Sequence, residues 1–329
     1  MTATFTYSNP RVIHWGAGSV AQLRAELERL ETQRVALVTT RSLLDSLNRL
    51  PFEPVVTVVV GQHAPMVQVR EGAEDVGLAG ARAIVSFGGG SVIDAAKIIS
   101  VGLDAIPHIA IPTTLSAAEL AAGAGYTNDR GDKAGLRDAR MMPAAVIYDA
   151  ELTLTTPMEL WLSTGIRALD HAVEGFLADG DHPYSDVMAQ EAIRRLFDSL
   201  PRARNAPSDV KVRTENQLAA WFSFTLPGPS AAGLSHTMGK QIGARHGIPH
   251  GVTSCLLLPH VMRYLARSMP ERVAALPRPE DVYDLIASLE LPQHIADYSI
   301  GEPELRQAAE ELAGRYPEAD LFAIYASAI

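Results

Sequence analysis

Cysteine is nearly absent from this sequence, since Cys255 is the single cysteine among 329 residues. One cysteine excludes a disulfide framework and argues against a zinc site built on thiolates. This usage is typical of proteins in a reducing cytoplasm. The opening residues MTATFTYSNPRV lack the charged and apolar regions of a signal peptide, so we expect a cytoplasmic protein.

Basic runs and long apolar segments are also missing. The formal net charge is −10, and without a lysine- or arginine-rich stretch we expect no nucleic-acid partner. No apolar run reaches the roughly 18 residues that suggest a membrane span, so we expect no membrane contact. A small anionic substrate is compatible with these numbers, because a site can be locally basic inside an acidic protein.

The first half of the chain alternates apolar strand patterns with amphipathic helix patterns. The predicted strands are Arg11–Trp15, Arg34–Thr39, Pro54–Val60, Ala81–Phe87, His108–Ile111 and Val146–Tyr148. The predicted helices are 18–30, a short one from Ser42, Val67–Leu78, and one from Ser91 to about Ser100. Apolar strands separated by such helices imply a parallel sheet that is covered on both faces.

The second half has a helical pattern to its end. Thr156 and Pro157 are typical of an N-cap followed by proline at the first helical position. Breaks in the helical pattern are predicted near Pro201–Ser208, Leu226–Ser230, Gly247–Pro249, Pro277–Pro279 and Gly301. We therefore predict an α/β, Rossmann-like nucleotide-binding domain over residues 1–155 and an all-helical domain over residues 156–329.

The run Gly88-Gly89-Gly90-Ser91 follows an apolar strand and opens a helix. Glycines let backbone N–H groups approach a pyrophosphate, and a helix N-terminus adds positive potential. Ser91 can cap the helix, with Asp94 three residues further on in a box-like position. The run departs from the dinucleotide fingerprint at Ile93, where a third glycine belongs. A plain strand-to-helix turn is the alternative, but three glycines after an apolar strand favour a phosphate site.

Hydroxyl side chains follow the next predicted strand, at Thr113, Thr114 and Ser116. Hydroxyls at the end of a strand suit a ribose or a phosphate. Ordinary turn capping is the alternative interpretation.

Three histidines lie in the helical half. On the predicted helix 159–177, Arg167 and His171 lie opposite the apolar stripe, which fits a helix that faces a cleft, although an exposed polar face is the alternative. Together with His236 and His250, His171 could form a three-imidazole site. From spacing alone this indication is weak.

Taken together, the motifs resemble the iron-containing (group III) alcohol dehydrogenase superfamily, which has the dehydroquinate-synthase-like fold. Within it the chain looks most like the maleylacetate reductase branch. The resemblance covers essentially the whole sequence. It rests on PRVIHWGAG, FGGGSVIDAAK, IPTTLSAAE, AVIYDAELTLTTP, GIRALDHAVEGF and LSHTMGKQIGARHGIPHGVTSCLLLPHVMRY.

The resemblance implies an NAD(P)-dependent oxidoreductase, a homodimer by family habit, with a role in aromatic compound catabolism. Its active site is expected between a nucleotide domain and a helical domain. Gly88 to Ser91 and Asp94 would then hold the pyrophosphate. Thr113, Thr114 and Ser116 would contact the nicotinamide half. Lys133 falls near a lysine that helps to hold the cofactor in the family.

This sequence departs from the metal-binding members at one ligand position. Those members carry an aspartate four residues before the first of three histidines; here Arg167 stands there, while His171, His236 and His250 match the histidines. A guanidinium cannot ligate and repels a dication, so binding of Fe²⁺ or Zn²⁺ is expected to be lost or weak. Maleylacetate reductases also lack the aspartate and are considered metal-free, although their usual residue there is not arginine.

Two further departures concern the substrate and the cofactor. Lys240 stands where the family usually has a histidine near the nicotinamide, and with Arg167 it would make the cleft basic and suited to a carboxylate. Thr40 and Arg41 follow the strand after which many members have an aspartate that binds the adenosine ribose. Either NADH or NADPH is therefore expected, and Arg41 would favour NADPH.

The leading hypothesis is hydride transfer from NAD(P)H to a small carbonyl or enone acid. Without a metal, Arg167, Lys240 and an imidazolium from one of the three histidines would stabilise the oxyanion, and one of these groups would deliver the proton. The alternatives are a metal-dependent alcohol dehydrogenase or aldehyde reductase, a non-redox lyase or cyclase that uses bound NAD, and a ligand-binding protein with a decayed site.

Overall fold

The computed structural model describes residues 10–225, 233–314 and 316–329. Within them the chain separates into two compact units. One contains residues 10–156 together with Ser208–Gln217, and the other contains Pro157–Pro207 and the described residues from 218 onward. In the described residues, no helix is both long and apolar enough to cross a membrane.

The first unit is built on a six-stranded parallel sheet. Its strands are β1 (Val12–Trp15), β2 (Val35–Thr39), β3 (Val56–Val59), β4 (Ala83–Gly88), β5 (His108–Pro112) and β8 (Ala145–Tyr148). They lie in the order β1-β8-β5-β4-β2-β3, and every pairing is parallel. The predicted parallel sheet and its six strands are confirmed, with ends that differ by at most two residues.

Helices cover both faces of this sheet. They are α1 (Leu23–Arg29), α2 (Met66–Leu78) and α3 (Gly90–Gly102). Leu37 of β2 packs in one apolar cluster with α1, while its neighbour Val38 packs in another with α2 and α3. Because successive strand residues point to opposite faces, the two clusters lie on the two faces. This is why β2, β4, β5 and β8 are buried along their whole length.

Several local predictions for this unit need correction. The helix expected from Ser42 is a 3-10 helix over Arg41–Arg49, and the start of the first predicted helix is a 3-10 helix over Ser19–Gln22. An antiparallel hairpin of β6 (Gly123–Thr127) and β7 (Lys133–Arg137) was not predicted. The strand KAGLR has no β-branched or aromatic residue, and GAGYT has only Tyr126 and Thr127 at its end, so the strand signal is weak. Further 3-10 helices cover Ala118–Leu120, Ala139–Met141 and Ala150–Thr153.

The second unit is helical, as predicted. Its helices are α4 (Met158–Phe176), α5 (Pro183–Asn205), α7 (Leu234–His246), α8 (His250–Leu265), α9 (Pro270–Ala274), α10 (Pro279–Ser288), α11 (Glu302–Leu312) and α12 (Glu318–Ser327), with a 3-10 helix over Ile295–Tyr298. Helix α6 (Val210–Ser223) belongs to this unit only from Leu218 onward. Helices α7, α8, α11 and α12 share one apolar core, in which the hydroxyl of Tyr325 donates to the carbonyl of Met238 at 3.0 Å.

One predicted break is confirmed and one predicted helix start was wrong. The break expected near Pro201–Ser208 lies between the end of α5 at Asn205 and the start of α6 at Val210. Pro201 itself lies inside α5, where proline costs the helix one backbone hydrogen bond. Thr156 does not cap α4, because its hydroxyl donates to the carbonyl of Thr113 at 2.8 Å and Pro157 occupies the N-cap position. The break predicted at Leu226–Ser230 lies outside the described residues.

The tight contact of α2 on β3 yields a stability prediction. A Cβ atom on Gly72 would lie 2.5 Å from Cγ1 of Val58, so Gly72→Ala is expected to lower the free energy of unfolding by about 1–3 kcal/mol through overpacking. Gly102→Ala is the control, because a Cβ atom there meets nothing within 4 Å. Urea denaturation of both variants checks this, and equal stability of the two would contradict the packing.

Candidate active site

The glycine run lies where the carboxyl ends of three neighbouring strands meet. Gly88 ends β4 opposite Pro112 of β5, and the N–H of Thr113 donates to the carbonyl of Gly88 at 3.0 Å. On the other side of β4, strand β2 leads into Thr40 and the exposed Arg41. The three predicted cofactor segments therefore share one edge of the sheet, as parallel strands require.

Each glycine of the run has a close neighbour where a side chain would start. A Cβ atom on Gly88 would lie 2.7 Å from a methyl group of Val92, as the chain turns sharply from strand to helix. A Cβ atom on Gly89 would lie 3.0 Å from Cγ2 of Thr114, and one on Gly90 would lie 3.0 Å from Oγ of Ser116. Gly89 caps α3 without a side chain, so the first backbone N–H groups of α3 are left for an outside acceptor. This cradle fits a pyrophosphate.

Ser91 and Asp94 do not form the predicted cap of α3. The hydroxyl of Ser91 accepts a hydrogen bond from the N–H of His63 at 2.8 Å, and Asp94 accepts one from the N–H of Gly125 at 3.0 Å. Burial raises the pKa of Asp94 to about 6. Both side chains tie other loops to α3, a role that depends on tertiary contacts and has no local sequence signal.

Lys133 is linked to the glycine run through two other residues. Its ammonium group donates to the hydroxyl of Thr127 at 3.2 Å, and Thr127 donates to the carbonyl of His63, whose N–H reaches Ser91. Burial lowers the pKa of Lys133 to about 8, which keeps it mostly protonated at neutral pH. Burial and the charge of Lys133 lower the pKa of His63. Sequence reasoning missed His63, which adopts a left-handed φ of 66°.

The three histidines of the helical unit come from three helices. His171 lies on α4, His236 on α7 and His250 at the start of α8. The ring centroids of His171 and His236 are 6.5 Å apart, and those of His236 and His250 are 4.8 Å apart. His171 is buried, with its ring edge against Phe224. Burial and the charge of Arg167 lower its pKa well below the ordinary value. His171 is therefore neutral, which corrects the option of an imidazolium at this position.

Arg167 is paired rather than free. It is 3% exposed, and its Nη1 donates to Asp170 at 2.8 Å and to the hydroxyl of Ser254 at 3.2 Å. Asp170, fully buried, also accepts from Ser254 and from Ser235. The expectation that Arg167 would make a basic cleft is thus wrong, because Asp170 balances its charge. In the described part of the chain, Nη2 of Arg167 has no hydrogen-bond partner, so its two N–H groups are left.

A second carboxylate on α4 holds the start of α7. Glu174 accepts from the N–H groups of Gly233 at 3.1 Å and His236 at 3.0 Å. A Cβ atom on Gly233 would lie 2.4 Å from this carboxylate. Burial and the nearby charge of Asp170 raise the pKa of Glu174 well above its usual range. Asp170 and Glu174 were missed in the sequence, although their i+3 and i+7 spacing from Arg167 puts all three on one helix face.

The donors near the histidines do not fit a divalent metal ion. Arg167 stands at the position of the fourth ligand, and a guanidinium has only N–H donors. The carboxylate of Asp170 is occupied by Arg167 and two serines. Across residues 10–225, 233–314 and 316–329, no group of three or more histidine, cysteine, aspartate or glutamate side chains is arranged to hold an ion.

The Arg167–Asp170 pair can be tested by a double-mutant cycle. Arg167→Met leaves a buried carboxylate unpaired and is expected to lower the free energy of unfolding by about 3–5 kcal/mol. Asp170→Leu alone leaves the guanidinium unpaired and should lose a similar amount, whereas Arg167→Met/Asp170→Leu removes both charges and should recover most of that loss. Urea denaturation measures all three variants. Arg194→Met, which breaks the exposed pair with Glu191, is the control and should change stability little. Additive losses in the double variant would show that the two charges are not coupled.

Two family models match this chain. The iron-containing alcohol dehydrogenase model matches residues 10–150, and the C-terminal model of the Fe-containing alcohol dehydrogenase family matches residues 161–318. Among curated proteins, a maleylacetate reductase of Pseudomonas aeruginosa is 33% identical over 325 residues, which cover 94% of this chain and 91% of that protein.

Solved structures agree with these matches. Maleylacetate reductase from Rhizobium sp. strain MTP-10005 superposes with a TM-score of 0.91 at 30% identity, over 100% of this chain and 99% of the other. Maleylacetate reductase from Agrobacterium tumefaciens superposes with a TM-score of 0.91 at 28% identity, over 100% and 98%. The chain belongs to the iron-containing alcohol dehydrogenase family and is an NAD(P)-dependent oxidoreductase that resembles maleylacetate reductases.

Proposed function

We propose that this enzyme reduces maleylacetate, or an enone dicarboxylate of the same class, with NADH or NADPH and without a metal ion. The proposed substrate rests on the similarity of this enzyme, over nearly the whole chain, to proteins named maleylacetate reductase. The proposal that no metal ion takes part rests on Arg167, which is paired with Asp170 and stands where, by resemblance, metal-binding members of the family have a ligand.

The cofactor part of the proposal rests on the segments that follow β2 and β4. Bound NAD(P)H supplies the hydride that reduces the carbon–carbon double bond. The glycine cradle suits its pyrophosphate, and no carboxylate follows β2 at Thr40 and Arg41. A carboxylate there would repel the 2′-phosphate of NADPH, whereas a guanidinium attracts it. Both nucleotides are therefore accepted.

The reaction needs a group that binds the substrate carboxylate and a group that donates a proton to the α carbon. The alkene carbon β to the ketone gains the hydride, the ketone oxygen takes up negative charge as an enolate, and the α carbon then gains a proton. Lys240 is exposed on α7, one turn beyond His236, and its ammonium binds a substrate carboxylate. The N–H groups on Nη2 of Arg167 and the neutral ring of His171 donate hydrogen bonds to developing charge. His236 or His250 delivers the proton.

The activity test follows NAD(P)H absorbance with maleylacetate as substrate, before and after prolonged incubation with EDTA. We expect steady turnover with both nucleotides and no loss on chelation. Loss of activity on chelation with rescue by Fe²⁺ or Zn²⁺ would exclude the metal-free reaction. If NAD(P)H is not consumed, maleylacetate is excluded as the substrate.

The role of Lys240 gives a second, sharper prediction. Lys240→Met should raise the KM for maleylacetate about tenfold or more, since a hydrogen bond to a charged group is lost, while the KM for NADH stays unchanged. The matched control is Lys211→Met, which removes another exposed lysine, on α6. With β-acetylacrylate, an enone that has one carboxylate, the Lys240 variant should lose less. A fall in kcat at constant KM would instead assign Lys240 to proton delivery.

A further inference from the structure

Lys97 of the motif GGGSVIDAAK has no role in the site described so far, yet it is completely buried on α3. Its ammonium group donates to three backbone carbonyls, those of Ala118, Ala121 and Gly123. The last two distances are 2.5 and 3.0 Å. An ammonium has three N–H donors and no acceptor, so these three carbonyls satisfy it completely.

The three carbonyls belong to the segment that directly follows Ser116. Ala117 lies between Ser116 and Ala118, and it is buried in the left-handed conformation with φ 57° and ψ 18°. A non-glycine residue adopts this conformation only where its surroundings hold it. The 3-10 turn over Ala118–Leu120 comes next; Lys97 binds the carbonyl of Ala118 in this turn and those of Ala121 and Gly123 just after it. Lys97 therefore holds the turn that Ala117 begins.

The same segment forms one wall of the glycine cradle. A Cβ atom on Gly90 would lie 3.0 Å from Oγ of Ser116 and 3.6 Å from Cβ of Ala118. The hydroxyl of Thr114 donates to that of Ser116 at 3.3 Å. Helix α3 thus begins at the glycines that form one wall of the cradle. Two turns later it carries Lys97, which holds the opposite wall, the segment of Ser116 and Ala118. The spacing between the two walls depends on Lys97.

Acidic groups around Lys97 support a charged ammonium. Asp94 on α3 and Glu119 on the 3-10 turn act on it, and Glu119 is itself buried and accepts from the hydroxyl of Tyr148 at 2.8 Å. Burial lowers the pKa of Lys97 to about 8. At neutral pH the ammonium form, with its three donors, prevails.

We propose that Lys97 is a positioning residue for the dinucleotide, because it fixes the wall that carries Thr114 and Ser116 against Gly89 and Gly90. The proposal rests on nucleotide binding at the glycine cradle and is independent of the keto-acid substrate. A purely structural lysine would stabilise the fold without any specific effect on the nucleotide.

The test is Lys97→Met, which keeps the length of the side chain and removes all three donors. The dissociation constant of NADH, measured by fluorescence titration, should rise at least about tenfold. The KM for the keto acid at saturating NADH should change less than about twofold, because the lysine proposed to bind that substrate, Lys240, lies on α7 and not on the cradle wall. Ser100→Ala is the matched control: Ser100 lies on the same helix, and its hydroxyl donates to the carbonyl of Ile106 at 2.7 Å. This control should lower the melting temperature and leave NADH affinity within about twofold of wild type.

A second variant separates positioning from stability. Glycine adopts a left-handed φ without strain, so Ala117→Gly in the Lys97→Met background should recover at least about threefold of the lost affinity. Where Lys97→Met does not fold, Lys97→Gln, which retains two donors, should give an intermediate affinity. Wild-type NADH affinity in the Lys97 variants would overturn the proposal. Failure of the wild-type protein to bind NADH would instead overturn nucleotide binding itself.

Discussion

Buried charge must be balanced within hydrogen-bond distance, and this constraint shapes the functional segments of both units. In the α/β unit, the ammonium of Lys97 is hydrogen-bonded to three backbone carbonyls and is stabilised by the charges of Asp94 and Glu119. In the helical unit, the guanidinium of Arg167 is balanced by Asp170 and Ser254. An ionised group left unpaired in such surroundings costs several kcal/mol. Each buried cation therefore fixes the backbone or helix that supplies its partner.

This balance changes what the histidine region can do chemically. Burial and the charge of Arg167 lower the pKa of His171, so its ring can donate or accept a hydrogen bond but brings no charge. The charge of Arg167 is itself compensated by Asp170. Among the described residues, no carboxylate pairs with the exposed ammonium of Lys240 on α7, so this cation can attract the carboxylate of the proposed substrate. The selectivity of the proposed reaction depends more on Lys240 than the sequence alone suggests.

Much of the fold could be predicted because it depends on local patterns. Apolar strands such as Arg34–Thr39 and the glycine run after Phe87 have strong signals, and the structure has them where expected. The hairpin of β6 and β7 was missed because most of its residues are glycine, alanine or charged, which favour strands weakly. Ser91 was assigned to a helix cap, yet its partner is the N–H of His63, on another loop. Such pairings depend on tertiary contacts that no spacing in the sequence records.

The cluster on α4 shows why single positions can mislead when a site is compared with its family. By resemblance, metal-binding members have a carboxylate at position 167, and this chain has a cation there. The carboxylate is not absent, however, because Asp170 lies three residues further along the same helix face and takes up the guanidinium. Asp170 also accepts from Ser235, while Glu174 accepts from the N–H groups of Gly233 and His236. These two carboxylates fix the first turn of α7. Helix α7 also carries Lys240. The residues around Arg167 on α4 therefore also help to position the lysine that we propose binds the substrate.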